Sequence, residues 1–299
     1  MIKYILQYSI ITLLIIIVNS CENQEVIKSK EKTISSSNKI DSETIKIENK
    51  IYNLIKNDWE EMGLKAKVKL LKQEEFLSVD NSEVLGVRTG VNSFSYKFNA
   101  DGNKEQEQYL DSLGMIKERS EYYFSESGKK TKKIIKKLNG NLVNNYSYEY
   151  NNLNQLSKIN ITDYENGDKF SYYQTEVYDN NGNEIKTIIK ALDGAKIQSA
   201  ESFFNKNNQK TRLKLYDNMD IPTAICEYTY NQNGDIINEK YYTSNYMLFS
   251  EYTISYLYDS KNNWIKKVYS LKKIHMKTIE NKDKQTGIQT ITFRTIEYY

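Results

Sequence analysis

The sequence predicts a mainly β protein: tandem antiparallel β-hairpin repeats forming an extended sheet that curls or spirals, led by a short amino-terminal helix. Three observations carry this. An aromatic residue recurs at Phe98, Phe124, Tyr150, Tyr178, Phe204, Tyr230 and Tyr258, at separations of 26, 26, 28, 26, 26 and 28 residues. Four residues after each stands Gly102, Gly128, Asn154, Gly182, Asn208, Gly234 or Asn262, the two residue types that best tolerate a positive φ. Two residues before five of the seven stands a further tyrosine: Tyr96, Tyr122, Tyr148, Tyr228 and Tyr256.

Residues two apart on a strand share a face, so each couplet lays aromatic rings on one side of a sheet. The Asn/Asp-rich segment that follows reverses the chain as a hairpin turn. A second strand comes next, for example 184–192, and then a second turn at Gly114, Gly140, Asn166-Gly167, Gly194, Asp217-Asn218 or Asn245. Seven repeats give about fourteen strands; Ala66–Leu77 and Thr290–Tyr299 supply one or two more. A sheet with one aromatic face must curl over it or be covered.

The repeat domain spans residues 63–299, and three shorter segments precede it. Lys3 and the apolar run Ile5–Val18 read as a secretory signal over residues 1–20. Its fourteen residues make about 21 Å of helix, short of the roughly 30 Å hydrocarbon core. Val18-Asn19-Ser20-Cys21 resembles a bacterial lipobox, which implies a lipid anchor on Cys21 and attachment to the membrane through it. Residues 21–44, rich in Lys, Glu, Ser and Asn, read as a flexible tether. Ile47, Ile51, Leu54, Ile55, Trp59 and Met62 recur at three and four, the spacing of an amphipathic helix over 45–62. These features place the chain at the bacterial cell envelope, at the outer membrane or cell surface rather than the inner membrane.

Tyr178-Asp179-Asn180-Asn181-Gly182-Asn183-Glu184-Ile185 and Tyr258-Asp259-Ser260-Lys261-Asn262-Asn263-Trp264-Ile265 resemble the YD repeats of RHS proteins, and the stretch from Gly63 to Tyr299 is similar to small RHS-repeat lipoproteins. The resemblance implies a repeat architecture and leaves function open. Large RHS proteins wind such repeats into a shell around a toxin; this chain is too short for one.

The charge of +3 balances 42 basic against 39 acidic residues, scattered rather than gathered on one face, which argues against nucleic-acid binding. The one histidine, His275, excludes histidine-rich zinc chemistry. Asp179–Asn183 looks like a calcium loop, but the ligand spacing and closing Glu are missing, so it reads as a turn. Cys226 is expected to pack in a strand. No metal, cofactor or catalytic residue is expected. The leading expectation is a non-catalytic binding or scaffolding module for an envelope protein or glycan, with Tyr123, Tyr173 and Tyr242, of opposite parity to the ladder, as ligand-binding candidates. Two alternatives are an envelope polysaccharide hydrolase using paired Asp/Glu and, by family analogy, an accessory or immunity partner of an RHS toxin.

Overall fold

The computed structural model describes residues 57–78, 85–165, 168–274 and 289–299. The signal over 1–20, Cys21, the tether to 44, His275 and most of the 45–62 segment lie outside them. Within that segment Asp58–Glu61 form one helical turn, α1, capped by Asn57: its side chain accepts from the Glu60 amide while Glu60 accepts from the Asn57 amide.

Sixteen strands follow. They are β1 (Val68–Ser78), β2 (Phe94–Phe98), β3 (Lys104–Leu110), β4 (Ile116–Phe124), β5 (Lys130–Lys137), β6 (Leu142–Tyr150), β7 (Leu156–Glu165) and β8 (Asp168–Tyr178). The second half comprises β9 (Glu184–Ala191), β10 (Lys196–Phe204), β11 (Lys210–Tyr216), β12 (Pro222–Tyr230), β13 (Ile236–Thr243), β14 (Leu248–Tyr258), β15 (Trp264–Ile274) and β16 (Gln289–Tyr298). Every strand pairs antiparallel with its sequence neighbours, and β1 pairs with β16, so the sheet is a closed barrel. An extended, curled or spiralling sheet is therefore corrected to a closed one. The turn motifs fix only local hairpins; closure depends on the ten-residue ladder from Val68↔Tyr298 to Ser78↔Gln289, which no periodicity announces.

The repeat maps directly onto the wall. Each of the seven marker aromatics ends an even-numbered strand, and each Gly or Asn four residues later has φ between 58° and 88°. The residue just after the marker closes the turn: Asp179 Oδ1 accepts from the amides of Asn181 and Asn183, and Asp259 Oδ1 from those of Lys261 and Asn263. That is why Asp or Asn stands there in six of the seven copies, the seventh being Ser125, whose Oγ accepts from the Lys129 amide; at Asp179 it commits the oxygen a calcium ion would need. At the opposite turns Gly114, Gly140 and Gly194 take positive φ as expected. In the β11–β12 and β13–β14 turns Asp220 and Tyr246 do so, one or more positions beyond the Asp217-Asn218 and Asn245 expected.

Tyrosine hydroxyls staple consecutive repeats. Tyr150 donates to the carbonyl of Lys130, Tyr230 to that of Lys210 and Tyr256 to that of Ile236, each twenty residues back. A ring that packs while its hydroxyl reaches backbone explains the preference for Tyr over Phe at many ladder positions.

Candidate functional site

Strand register separates the two faces of the wall. One parity carries Tyr96, Glu107 and Ser120 as successive neighbours across β2–β4 and Tyr122, Lys133, Tyr146, Ile161 and Tyr172 across β4–β8, and it faces inward. The outer parity carries ion pairs between nearby strands: Lys136–Glu121, Lys186–Glu201 and Arg212–Glu227 at 2.9–3.1 Å, all substantially exposed. A wall that crosses a bilayer presents an apolar band about 25 Å tall, and each Lys or Arg at its midplane costs about 2–4 kcal/mol. These ion pairs suit water; exposed Val177, Phe203 and Leu257 stand on the same face.

The inner wall holds charge. Two inward positions recur six and nine residues after each marker: Lys104, Lys130, Leu156, Glu184, Lys210, Ile236 and Trp264, then Glu107, Lys133, Ile159, Thr187, Leu213, Glu239 and Lys267. On β3 and β5 they form an ion cluster. Lys133 Nζ lies 2.7 Å from Glu107, and its ammonium sits over the rings of Tyr109, Tyr122 and Tyr146 at 5.4–5.8 Å. Tyr122 donates to Glu107 at 2.6 Å. Burial would push the Glu107 carboxyl up, but Lys133 and Lys104 outweigh it and hold it far below the usual range.

The same cluster seats α1. Asp58, 3 % exposed, accepts from the Lys130 ammonium at 3.0 Å and from the Lys104 amide at 2.7 Å. Trp59 packs with Leu71, Tyr96 and Phe98, and the Lys65 amide donates to Asn263 in the β14–β15 turn. The helical turn and the residues after it thus lie against the barrel end that carries the marker turns, touching the β2–β3 and β14–β15 turns. At the far end the described part of the β1–β2 connection, 85–93, keeps to the rim, with Gly86 against β1 and Gly90 against the β3–β4 turn. Phe170, inward-facing at that end, is 59 % exposed.

A ring of sixteen strands encloses more space than wall side chains fill. Part of it is packed: Ala200, Leu213, Cys226 and Tyr228 on β10–β12 form a buried core. Cys226 is wholly buried there, its thiol pushed up to about 12 by burial and by Glu239. Beside it on β6–β9, Ile161, Glu176, Thr187 and Ile189 are buried, while Tyr146, Tyr148, Ile159, Tyr172 and Gln174 are only half-buried. That arc carries Asp163, Glu176 and Glu184 and, among its described inward residues, no Lys or Arg. Burial and then Glu184 push the Glu176 carboxyl up to about 8. Thr187 Oγ1 bonds both carboxylates, at 2.8 and 2.5 Å. A glycosidase pair must stand far enough apart, about 5 Å or more, to hold the scissile bond between them; Glu176 and Glu184 hydrogen-bond each other as well as Thr187 and leave no such gap.

Tyr123, Tyr173 and Tyr242 lie on the outer wall, as their parity requires. They stand on β4, β8 and β13 and form no common site. Tyr123 is 45 % exposed with the Lys132 ammonium 5.8 Å from its ring, Tyr173 faces Lys158 at 5.0 Å, and Tyr242 donates to Glu227 at 3.1 Å. Sequence reasoning missed the inner charges, although their fixed offset from the markers was available to find them.

No protein-family model matches the chain, and no curated protein matches its sequence. Similar solved structures include a porin-like protein from Bacteroides uniformis, at 11 % identity and a TM-score of 0.50, covering 78 % of this chain and 98 % of that one. A porin-like protein from Bacteroides vulgatus gives 9 % identity and a TM-score of 0.42 over 78 % and 98 %. A putative outer membrane lipoprotein-sorting protein domain from Vibrio parahaemolyticus gives 8 % and 0.28 over 85 % and 92 %. None of the three bears an enzyme's name. Only the first bears on the argument, and it shows fold alone. The resemblance to RHS repeat proteins is overturned by the closed barrel and by the first of these likenesses, and the toxin-partner reading, which rested on it, goes with it. What the chain shares with a known structure is the architecture of a closed, all-antiparallel barrel.

Proposed function

We propose that this chain is a lipid-anchored envelope protein, tethered through Cys21 after removal of residues 1–20, whose water-facing barrel binds a ligand inside its lumen without catalysing a reaction. The observation that carries this is the contrast between the two faces. Outside, Lys–Glu and Arg–Glu pairs suit solvent. Inside, the β6–β9 arc leaves aromatic and aliphatic side chains half-covered beside carboxylates. The likeness in fold to a porin-like protein does not extend to a lipid-facing wall, so the envelope association rests on the anchor and not on the strands. Hydroxyl-radical footprinting of the full chain, with and without envelope extract, tests the reading. Protection of Tyr146, Tyr172 and Phe170 supports it. Protection confined to Tyr123, Tyr173 and Tyr242 would move the site to the outer wall, and protection of neither set would overturn the binding role.

A further inference from the structure

We propose that the far-end rim of the barrel rests on a lipid bilayer surface, its turn tips set into the headgroup boundary of the membrane that holds the Cys21 anchor. The inference rests on the anchor reading for the choice of membrane and is independent of the lumen. Both ends of the barrel are built from one five-residue turn. The amide of its first residue donates to the carbonyl of the fifth, and the amide of the fourth donates back to the carbonyl of the first, as in 179–183 at the marker end and 111–115 at the far end. Backbone geometry is the same at the two ends, so a difference in composition between them has another cause.

The compositions are opposite. The fifth residue of the turn is polar in all seven marker copies, whereas at the far end it is Met115, Asn141, Ala195, Ile221 or Met247. At the far-end tips Leu113, Leu138, Leu192 and Met219 are 61–79 % exposed, and each of the five described far-end hairpin turns carries at least one exposed large apolar side chain. Among the seven marker turns only Leu153 is of that kind. Turns in water favour Asn, Asp, Ser and Gly, as the marker end shows, so apolar tips at one end alone are not a demand of the fold.

The occupant follows from the spacing of the tips, their surroundings and the reach of the chain. Neighbouring far-end turns stand two strands, about 10 Å, apart, with Asn139, Asp193 and Asn218 among the apolar tips. They make a ring of separate points rather than a groove. A fluid surface accepts such points, whereas a protein partner needs a contiguous complementary patch. Lys136 pairs with Glu121 one residue below its turn, and Lys196 with Asp220 at the rim itself, so charge confines burial to the tips, the depth of an interfacial contact. Both signs are present there, which makes the attraction apolar rather than electrostatic. The chain enters at the marker end through α1, but the 36 residues from Cys21 to Lys56 reach up to about 120 Å. The eleven-residue β1 spans only about 35 Å, so the anchor reaches a membrane lying under the opposite rim.

The test is co-sedimentation of the mature chain, from residue 21 and kept unacylated by Cys21→Ser, with phosphatidylcholine vesicles. The parent partitions onto them, and raising salt from about 0.05 to 0.5 M changes this by less than about twofold. Leu113→Ser, Leu192→Ser and Met219→Ser together, at exposed positions where folding loses little, lower the partition coefficient about tenfold or more. Leu153→Ser at the marker end leaves it unchanged. Leu192→Trp shifts tryptophan emission to the blue when vesicles are added, whereas Asn207→Trp does not. Absence of partition, partition untouched by the triple variant, or equal effects at the two ends overturns the inference. A rim that instead pairs two copies in solution and leaves vesicles unbound overturns it as well. Footprinting protection of Tyr146 and Tyr172 by envelope extract would in each case leave the lumen reading standing, so the two failures are told apart.

Discussion

Glu107 and Lys133 occupy the same place in consecutive repeats, nine residues after Phe98 and Phe124, and meet at 2.7 Å inside the barrel. One inward position therefore supplies a carboxylate in one repeat and its counter-ion in the next, with tyrosine hydroxyls and rings filling in around them.

Lys133→Met leaves Glu107 buried without its partner and is expected to destabilise the fold by about 3–5 kcal/mol. Lys133→Met combined with Glu107→Leu recovers a large part of that loss, because no lone charge remains. Urea unfolding of the two single variants and the double variant measures the coupling. Additive losses would show that the pair does not act as a unit.

Two groups give stability opposite pH dependences. Glu107 and Asp58 titrate below their usual values in the folded chain. They contribute stability that is present above about pH 4.5 and lost as pH falls. Glu176 titrates high, at about 8, for burial and for Glu184. Its contribution is full below about pH 4.5 and declines as pH rises to about 8. Glu176→Gln is expected to flatten the alkaline limb of a plot of unfolding midpoint against pH and leave the acid limb alone. An unchanged alkaline limb would refute the assignment.

Gly102 and Gly128 are equivalent turn glycines, with φ of +87° and +78°, in different surroundings. A Cβ on Gly102 would meet the Trp59 ring at 2.5 Å, whereas nothing lies within 4 Å of one on Gly128. Gly128→Ala is expected to cost only the left-handed strain, about 1–2 kcal/mol. Gly102→Ala adds displacement of α1 and with it a shift in tryptophan emission. Matching emission spectra for the two variants would show that α1 does not depend on this contact.

Asn262 holds φ at 63° and is exposed. Asn262→Gly is expected to be neutral within about 0.5 kcal/mol, and Asn262→Val to cost about 1–2 kcal/mol. Thermal unfolding compares them, and equal midpoints would remove backbone conformation as the reason for Asn there.

Strand ends and marker turns were legible because a turn is a local event. Asp259 and Asn262 carry their instructions within five residues, and every copy restates them. At the opposite turns the signal fades, and Asp220 and Tyr246 take the left-handed position that glycine holds elsewhere. Closure was not legible, because Val68 and Tyr298 are 230 residues apart and nothing in either strand names its partner. The parity of Tyr123, Tyr173 and Tyr242 correctly set them on the face opposite the ladder. Parity does not say how far round a ring two strands stand, so it could not reveal that they form no common site. The lumen's chemistry lies at inward positions that vary from Lys to Glu to Leu between repeats, and a search for sameness passes over them.

The β1–β16 ladder also removes an edge through which copies of this protein could pair. A row of alike, tyrosine-rich strands with an open edge would invite the next molecule to continue it, strand upon strand. Here the last strand has already been answered by the first. Neighbouring molecules can meet only through side chains instead of backbone along that seam, and concentrated copies stay separate particles.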